Sequence, residues 1–334
     1  MKTRTMTRTQ AELLLAAVII ARSTSYVLTK VGLQDMGKFT LLAVRFLLAF
    51  AFLAALFRRL LQIDRRTLLS GLAMGGIYFC VMTAELTALK TVETSTVSFV
   101  TNTAVVIVPL IQAALSRRWP DRRVLFGALA CLLGVALLTL RGGLTFTPGV
   151  GYCILEAFLY STAILVTDRL THAGADPLLS GVVQVGFLGA LALIASFLFE
   201  TPHLPGSGTE WLVVLALALV CSGFGFTLQP VAQSGTTADH AALFCALNPF
   251  VAAALGAVCF HEHFGIAGLL GGALSWQGSS CPAGRRKPAA EKQKTPRVHR
   301  IRGVFLFIFR SAPDRHARRS RACQRFSRCR ACRC

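Results

Sequence analysis

The sequence predicts an all-α polytopic membrane protein with ten transmembrane helices. Three observations carry that expectation. Of its 334 residues, 54% are apolar and only 15% are charged, with a mean hydropathy of +0.59, a balance that soluble domains of this length rarely keep. The apolar residues fall in runs near the length that carries a helix across about 30 Å of hydrocarbon at about 1.5 Å per residue. Between the runs almost nothing is left over to build a soluble domain. The same arithmetic excludes a small disulfide module, a coiled coil and a disordered acidic protein.

The runs lie between charge clusters and Gly/Pro breaks. The first, 11–30, follows a short basic start and has no small-residue cleavage site, so it reads as a membrane span and not as a removed signal peptide. Next come 39–57, ending at Arg58-Arg59; 69–89, ending at Lys90; and 95–115, ending before Arg117-Arg118. The fifth is 124–140, closed by Arg141. The second half supplies 149–167, 178–199, 211–229 and 238–260, and a defective tenth run starts at 264. Short connections make consecutive helices antiparallel neighbours.

Lysine and arginine in the loops set the orientation. With the N-terminus inside, the inner segments hold Lys2, Arg4, Arg8, Arg58, Arg59, Arg65, Arg66, Arg117, Arg118, Arg122, Arg123 and Arg169. The outer loops hold Lys38, Lys90 and Arg141. Twelve against three predicts a multi-pass protein of the cytoplasmic (inner) membrane with both termini cytoplasmic. Cys80, Cys131, Cys153, Cys221, Cys245 and Cys259 lie singly in apolar runs, where cysteine behaves as a small hydrophobe. Cys323, Cys329, Cys332 and Cys334 crowd the end without two separated, structured pairs to hold zinc. No phosphate loop, metal cluster or nucleophile–base pair is present in the sequence, so no catalytic residue, cofactor or metal is expected.

A shift of about 140 residues superposes the two halves. Thr96 falls on Thr236, Pro109 on Pro249, Ala114-Leu115 on Ala254-Leu255, and Arg45 on Gln184; with a small gap, Gly127-Ala128-Leu129 meets Gly272-Ala273-Leu274. Five helices is an odd number, so the second copy inserts upside down, as in secondary transporters whose inverted repeats enclose one midplane site. The expected units are 11–140, 149–280 and a basic tail, 281–334.

Several stretches resemble the EamA-type drug/metabolite transporter (DMT) superfamily. In the second half they are Gln229-Pro-Val-Ala-Gln233, Thr236-Thr-Ala-Asp-His240, Leu247-Asn248-Pro249-Phe250, Cys259-Phe-His-Glu262 and Gly271-Gly-Ala-Leu274. In the first half they are Ser23-Thr-Ser-Tyr26-Val-Leu-Thr-Lys30, Val44-Arg45-Phe46-Leu47, and Ala88-Leu89 followed by Thr94-Ser95-Thr96. The resemblance covers about 11–274 and implies two inverted five-helix EamA repeats. It further implies export of small metabolites or drugs, usually without ATP. Two departures stand out. Asn248 occupies a position that is often acidic in relatives, and Glu262 has its first-half counterpart near Arg117-Arg118, so a matched carboxylate pair is not carried by the two halves.

Charges inside a membrane are costly and need a reason to stay. Lys30, on the same helix face as Tyr26 and Ser23, either snorkels to the outer headgroups or serves as a charge partner for substrate. Arg45 lies within the second helix, either as a structural bond to backbone carbonyls or in a functional role. Glu85 shares a face with Tyr78 and Met82; it is a candidate proton site or an interfacial partner of Lys90 or Lys38. Glu156 and Asp168 on the sixth helix raise the same question, with a solvated salt bridge expected at Asp168. Thr101, Asn102, Gln184, Gln229 and Asn248 are candidate cavity-lining groups that equally well bond neighbouring helices. Pro109 and Pro249 each free a carbonyl and permit a bend, a paired hinge or two static kinks. Gly71, Gly75, Gly76, Gly223 and Gly225 favour close helix packing.

After Leu274 the apolar pattern stops. Gly265–Leu274 spans about 15 Å, half a bilayer, and the last fifty residues, 285–334, carry 17 Lys/Arg against 2 acids. Such Arg- and Cys-rich composition suggests a reading-frame shift between about 274 and 280. The alternative is a genuine tail that contacts anionic lipid at about 1 kcal/mol per basic residue; nucleic acid is not expected as a partner. The expected function is a secondary exporter of a small organic solute, with the lipid bilayer and a homodimer as further partners. A membrane enzyme on lipid-linked substrates and a non-transporting sensor are the alternatives.

Overall fold

The computed structural model describes residues 7–56, 63–92, 94–116 and 148–245, together with 126, 129, 248 and 251. All its regular secondary structure among these residues is helical. The helices are α1 (Arg8–Asp35), α2 (Lys38–Leu56), α3 (Arg65–Leu89), α4 (Thr94–Asn102), α5 (Ala104–Ser116), α6 (Pro148–His172), α7 (Pro177–Phe199), α8 (Gly208–Ser234) and α9 (Ala238–Phe244). Six of them, α1, α2, α3, α6, α7 and α8, are long and apolar enough to cross a membrane, as predicted. The chain is a polytopic all-α membrane protein.

Local chemistry starts the helices. Thr7 and Gln10 form a reciprocal capping box at α1: Gln10 N–H donates to Thr7 Oγ1 at 3.4 Å, and Thr7 N–H donates to Gln10 Oε1 at 3.0 Å. Asp64 caps α3, Asp176 caps α7 with Pro177 at the first turn, Ser207 caps α8 and Thr237 caps α9. Bulky apolar side chains then cover the outer surface. Phe52, Phe158, Phe197 and Leu212 are each more than half exposed, the arrangement expected where lipid is the solvent.

Two helices differ from the expected spans. The 95–115 run is two helices that part at Thr103. There Thr103 Oγ1 donates to Val100 O at 2.6 Å, and Asn102 Nδ2 donates to Ser98 O at 2.6 Å; side chains thus compete for helical carbonyls. Pro109 sits inside α5, past this break. The middle of α8, Leu217–Phe226, is π-helical, a geometry that widens the turn and often marks functional sites. The expected span 124–140, the end of 238–260, the tenth run, Pro249, His261, Glu262, His263 and the tail lie outside the described residues.

Helix α7 packs against α2 and α3, while α6 packs against α3, α4, α5, α8 and α9. The α3–α7 contact is close because of glycine. A Cβ on Gly71 would lie 2.5 Å from Val183 Cβ, and one on Gly75 would lie 2.9 Å from Gln184 O. Phe46, Tyr78 and Phe226 knit the centre edge to face, at 5.1 Å for Phe46–Phe226 and 5.3 Å for Tyr78–Phe226.

Candidate functional site

The polar groups that helices usually hide converge on one cavity of about 20 Å³. It is lined by Arg22, Ser25 and Tyr26 from α1, Glu85 from α3, Thr101 from α4, Glu156 and Tyr160 from α6, Phe226 from α8, and Asn248. That volume holds little more than a water molecule. The site is therefore closed to an organic solute in this conformation.

Arg22 is its centre and escaped the sequence analysis. Its Nη1 donates to Gln229 Oε1 at 2.6 Å and to Tyr160 Oη at 3.2 Å. Gln229 Nε2 in turn donates to Tyr78 Oη at 2.7 Å. The guanidinium carbon lies 4.3 Å from the Phe226 ring centroid, 5.2 Å from Tyr160 and 5.7 Å from Tyr78, so three ring faces and an amide oxygen hold one cation. Glycine in the π-helical stretch makes room for it: a Cβ on Gly225 would stand 2.7 Å from Arg22 Cγ. The signal was in the sequence, since Arg22 falls at the middle of the first apolar run, where a charge is dearest.

The acids sit across the cavity. Glu85 is 5% exposed, and Arg45 and Arg22 are the two cations whose fields act on it. It does not pair with Lys38, whose Nζ donates to Thr87 Oγ1 at 3.1 Å and lies over the Phe39 ring. Glu156 is fully buried and meets the Thr101 hydroxyl through both carboxyl oxygens at 2.9 Å. Among the described residues no arginine forms an ion pair with either carboxylate.

The remaining predicted residues divide. Tyr26 and Asn248 line the cavity, and Ser23 Oγ bridges Asn248 Oδ1 at 2.7 Å. Tyr78 and Gln229 join it through Arg22. Arg45, 0% exposed, lies one layer behind, donating to Thr29 Oγ1 at 3.1 Å and Met82 Sδ at 3.2 Å, with its Cζ 4.7 Å from the Phe46 ring centroid. Asn102 and Gln184 are buried elsewhere; neither amide atom of Gln184 has a hydrogen-bond partner. Lys30 is exposed and does not line the cavity. Asp168 pairs with His172 at 3.6 Å. No group of three or more His, Cys, Asp or Glu among the described residues is placed to hold a metal ion.

The model of the EamA-like transporter family matches residues 9–140 and again 147–280. The chain belongs to the EamA-like transporter family. An uncharacterized transporter of Archaeoglobus fulgidus is 25% identical over 282 residues, which cover 80% of this chain and 96% of the relative. A crystal structure of another protein shares the fold at a TM-score of 0.68 and 22% identity, over 82% of this chain and 96% of that one. This EamA protein is accordingly a membrane transporter.

Proposed function

We propose that this EamA protein is a secondary exporter of small organic metabolites or drugs across the cytoplasmic membrane, working by alternating access around the Arg22 cavity. The observation that carries the reading is a cation and two carboxylates around one closed cavity, contributed by helices from both halves of the chain. Such groups cost several kcal/mol in a bilayer unless they serve a pathway. Residues 11–140 and 149–280 form the two inverted repeats, with both termini cytoplasmic. The cavity of about 20 Å³ is the occluded form; opening to either face admits the solute. Arg22 is the charge partner for an anionic group, with Glu85, Tyr26, Tyr78, Gln229 and Asn248 completing the pathway and Arg45 supporting it electrostatically. Pro109 and Pro249 serve as hinges in that motion. No catalytic residue is assigned.

The test is metabolite profiling of the medium of cells that overproduce the full chain, its Arg22→Gln variant, and a form with helix ten completed by an in-frame apolar ending. The expected outcome is a solute enriched outside by the completed form, with at least about tenfold less for Arg22→Gln, the effect of losing one interaction worth about 1.4 kcal/mol. Equal enrichment with and without Arg22 removes it from the pathway. Silence from correctly inserted forms favours a non-transporting membrane partner or sensor.

A further inference from the structure

Glu156 is not needed to hold Arg22, which has Gln229, Tyr160 and three aromatic faces. Yet it is retained, fully buried, on the wall of the same cavity. An ionised carboxylate there requires a cation or several donors to offset its lost hydration. Its only hydrogen-bond partner among the described residues is the hydroxyl of Thr101.

That hydroxyl is the informative atom. Thr101 Oγ1 lies 2.8 Å from Val97 O and 2.9 Å from each oxygen of Glu156. It has three acceptors around it and one hydrogen to give. With Glu156 ionised, Thr101 donates to the carboxylate and its contact with Val97 O is unused. With Glu156 protonated, the carboxyl O–H donates to Thr101 Oγ1, and the threonine hydrogen turns to Val97 O. Both arrangements use the same heavy-atom positions. We propose that the Glu156–Thr101 pair is the proton-binding site of this protein, loaded and emptied through the cavity by rotation of one hydroxyl.

The balance is simple. A proton arriving through the cavity bonds to a Glu156 oxygen, the Thr101 hydroxyl hydrogen moves from the carboxylate to Val97 O, and release reverses both movements. The titratable and charged neighbours are those of the packed helices. They are Glu85 and Tyr78 from α3, Arg22 and Tyr26 from α1, Cys153 and Tyr160 on α6 itself, and Cys245 beyond α9, which contacts Tyr160. Helices α4 and α5 bring no titratable side chain to it, and α8 brings neutral Gln229 and Phe226. Arg22 acts on both acids, Arg45 on Glu85, and the Thr101 hydroxyl meets Glu156; it is this hydroxyl that gives Glu156 two hydrogen-bonded states. The inference deepens the transport reading by naming where a coupling proton resides, but its test does not depend on flux.

The experiment is an infrared titration of the purified full chain in lipid vesicles, following the C=O stretch of protonated carboxyl groups in H2O and D2O. A protonated-carboxyl band that titrates is expected in the unaltered protein and in Glu85→Gln, and is expected to be lost in Glu156→Gln. Thr101→Val should shift the band's frequency, because the carboxyl loses its only acceptor, and Thr101→Ser should restore it. A band that persists in Glu156→Gln, or that disappears in Glu85→Gln alone, overturns the assignment. If Glu156→Gln does not insert, the Thr101→Val and Thr101→Ser pair decides: no frequency shift between them also overturns it. A Glu156 band without solute export leaves the proton site standing and removes the transport reading, whereas export without a Glu156 band does the reverse.

Discussion

At the scale of single residues, the sequence marks cost more readily than purpose. Arg45, Glu85 and Lys30 were all expensive charges in apolar runs, yet only Glu85 faces the cavity. Arg22 pays the same cost and organises the site. What separates them is the direction of each side chain, and no spacing rule supplies that for a helix whose neighbours are unknown. Asp64 shows the opposite case, a role fully written in local chemistry. It caps α3, accepting from Arg66 N–H at 3.2 Å and Thr67 N–H at 3.3 Å, and the Thr67 side chain foremost, then these amides, hold its carboxyl below the usual carboxylate range. A depressed carboxylate contributes its stability above the unfolded-state value and loses it as pH falls through the folded-state value. Asp64→Ala should therefore cost about 0.5–1 kcal/mol near neutral pH, the lower end for a cap because the site is exposed and screened. Thermal unfolding in detergent checks this, and the difference from the unaltered protein should shrink as the solution is acidified.

At the scale of elements, helix positions were legible and helix interiors were not. Hydropathy, charge clusters and Gly/Pro breaks located α1, α2, α3, α6, α7 and α8 to within about five residues at each end, because burial in lipid is a requirement on each segment separately. The parting of α4 from α5 arises from Asn102 and Thr103 turning their side chains onto backbone carbonyls, which sequence spacing placed instead at Pro109. The π-helical stretch of α8 likewise has no sequence signature beyond Gly223 and Gly225, since it depends on what α8 must accommodate. Glycines at the α3–α7 and α7–α8 seams let these helices approach closely. A methyl group on Gly71 meets Val183, and one on Gly181 meets the backbone of Thr227. Gly71→Ala and Gly181→Ala should each destabilise the protein by about 1–3 kcal/mol through overpacking, measured as a lower Tm and faster proteolysis. Gly151→Ala, where a Cβ meets nothing within 4 Å, is the neutral control.

At the scale of the whole molecule, the two halves are tied together at the end where α7 finishes. Glu200, just past α7, accepts from Phe39 N–H at 3.1 Å, Thr40 N–H at 3.0 Å and the Thr40 hydroxyl at 3.0 Å. A carboxylate of the second half thus caps α2 of the first, where the helix dipole welcomes negative charge, and Gly37 leaves space for it. In the alternating motion proposed above, opening toward this end separates Glu200 from α2. Glu200→Ala removes about 1 kcal/mol of capping from the closed form, which shifts a two-state equilibrium about fivefold toward opening. The readout is labelling of a Ser25→Cys probe by a membrane-impermeant maleimide, in a background without native cysteines. A rise of that order is expected from the α2 N-terminal face, and an unchanged rate would show that Glu200 does not hold the closed form.

Sequence alone sufficed for the solvent of this protein, the placement of its six long helices and its family, though not for the break that divides 95–115. These follow from composition and local order along the chain, and a bilayer imposes them on each segment separately. Only the tertiary structure decided which polar side chains meet. Arg22 finds Gln229 across 207 positions of sequence and Tyr160 across 138, while Glu156 finds Thr101 across 55. Those meetings depend on how each helix is rotated and how closely glycine lets it approach its neighbour, quantities set by all the contacts of the bundle together.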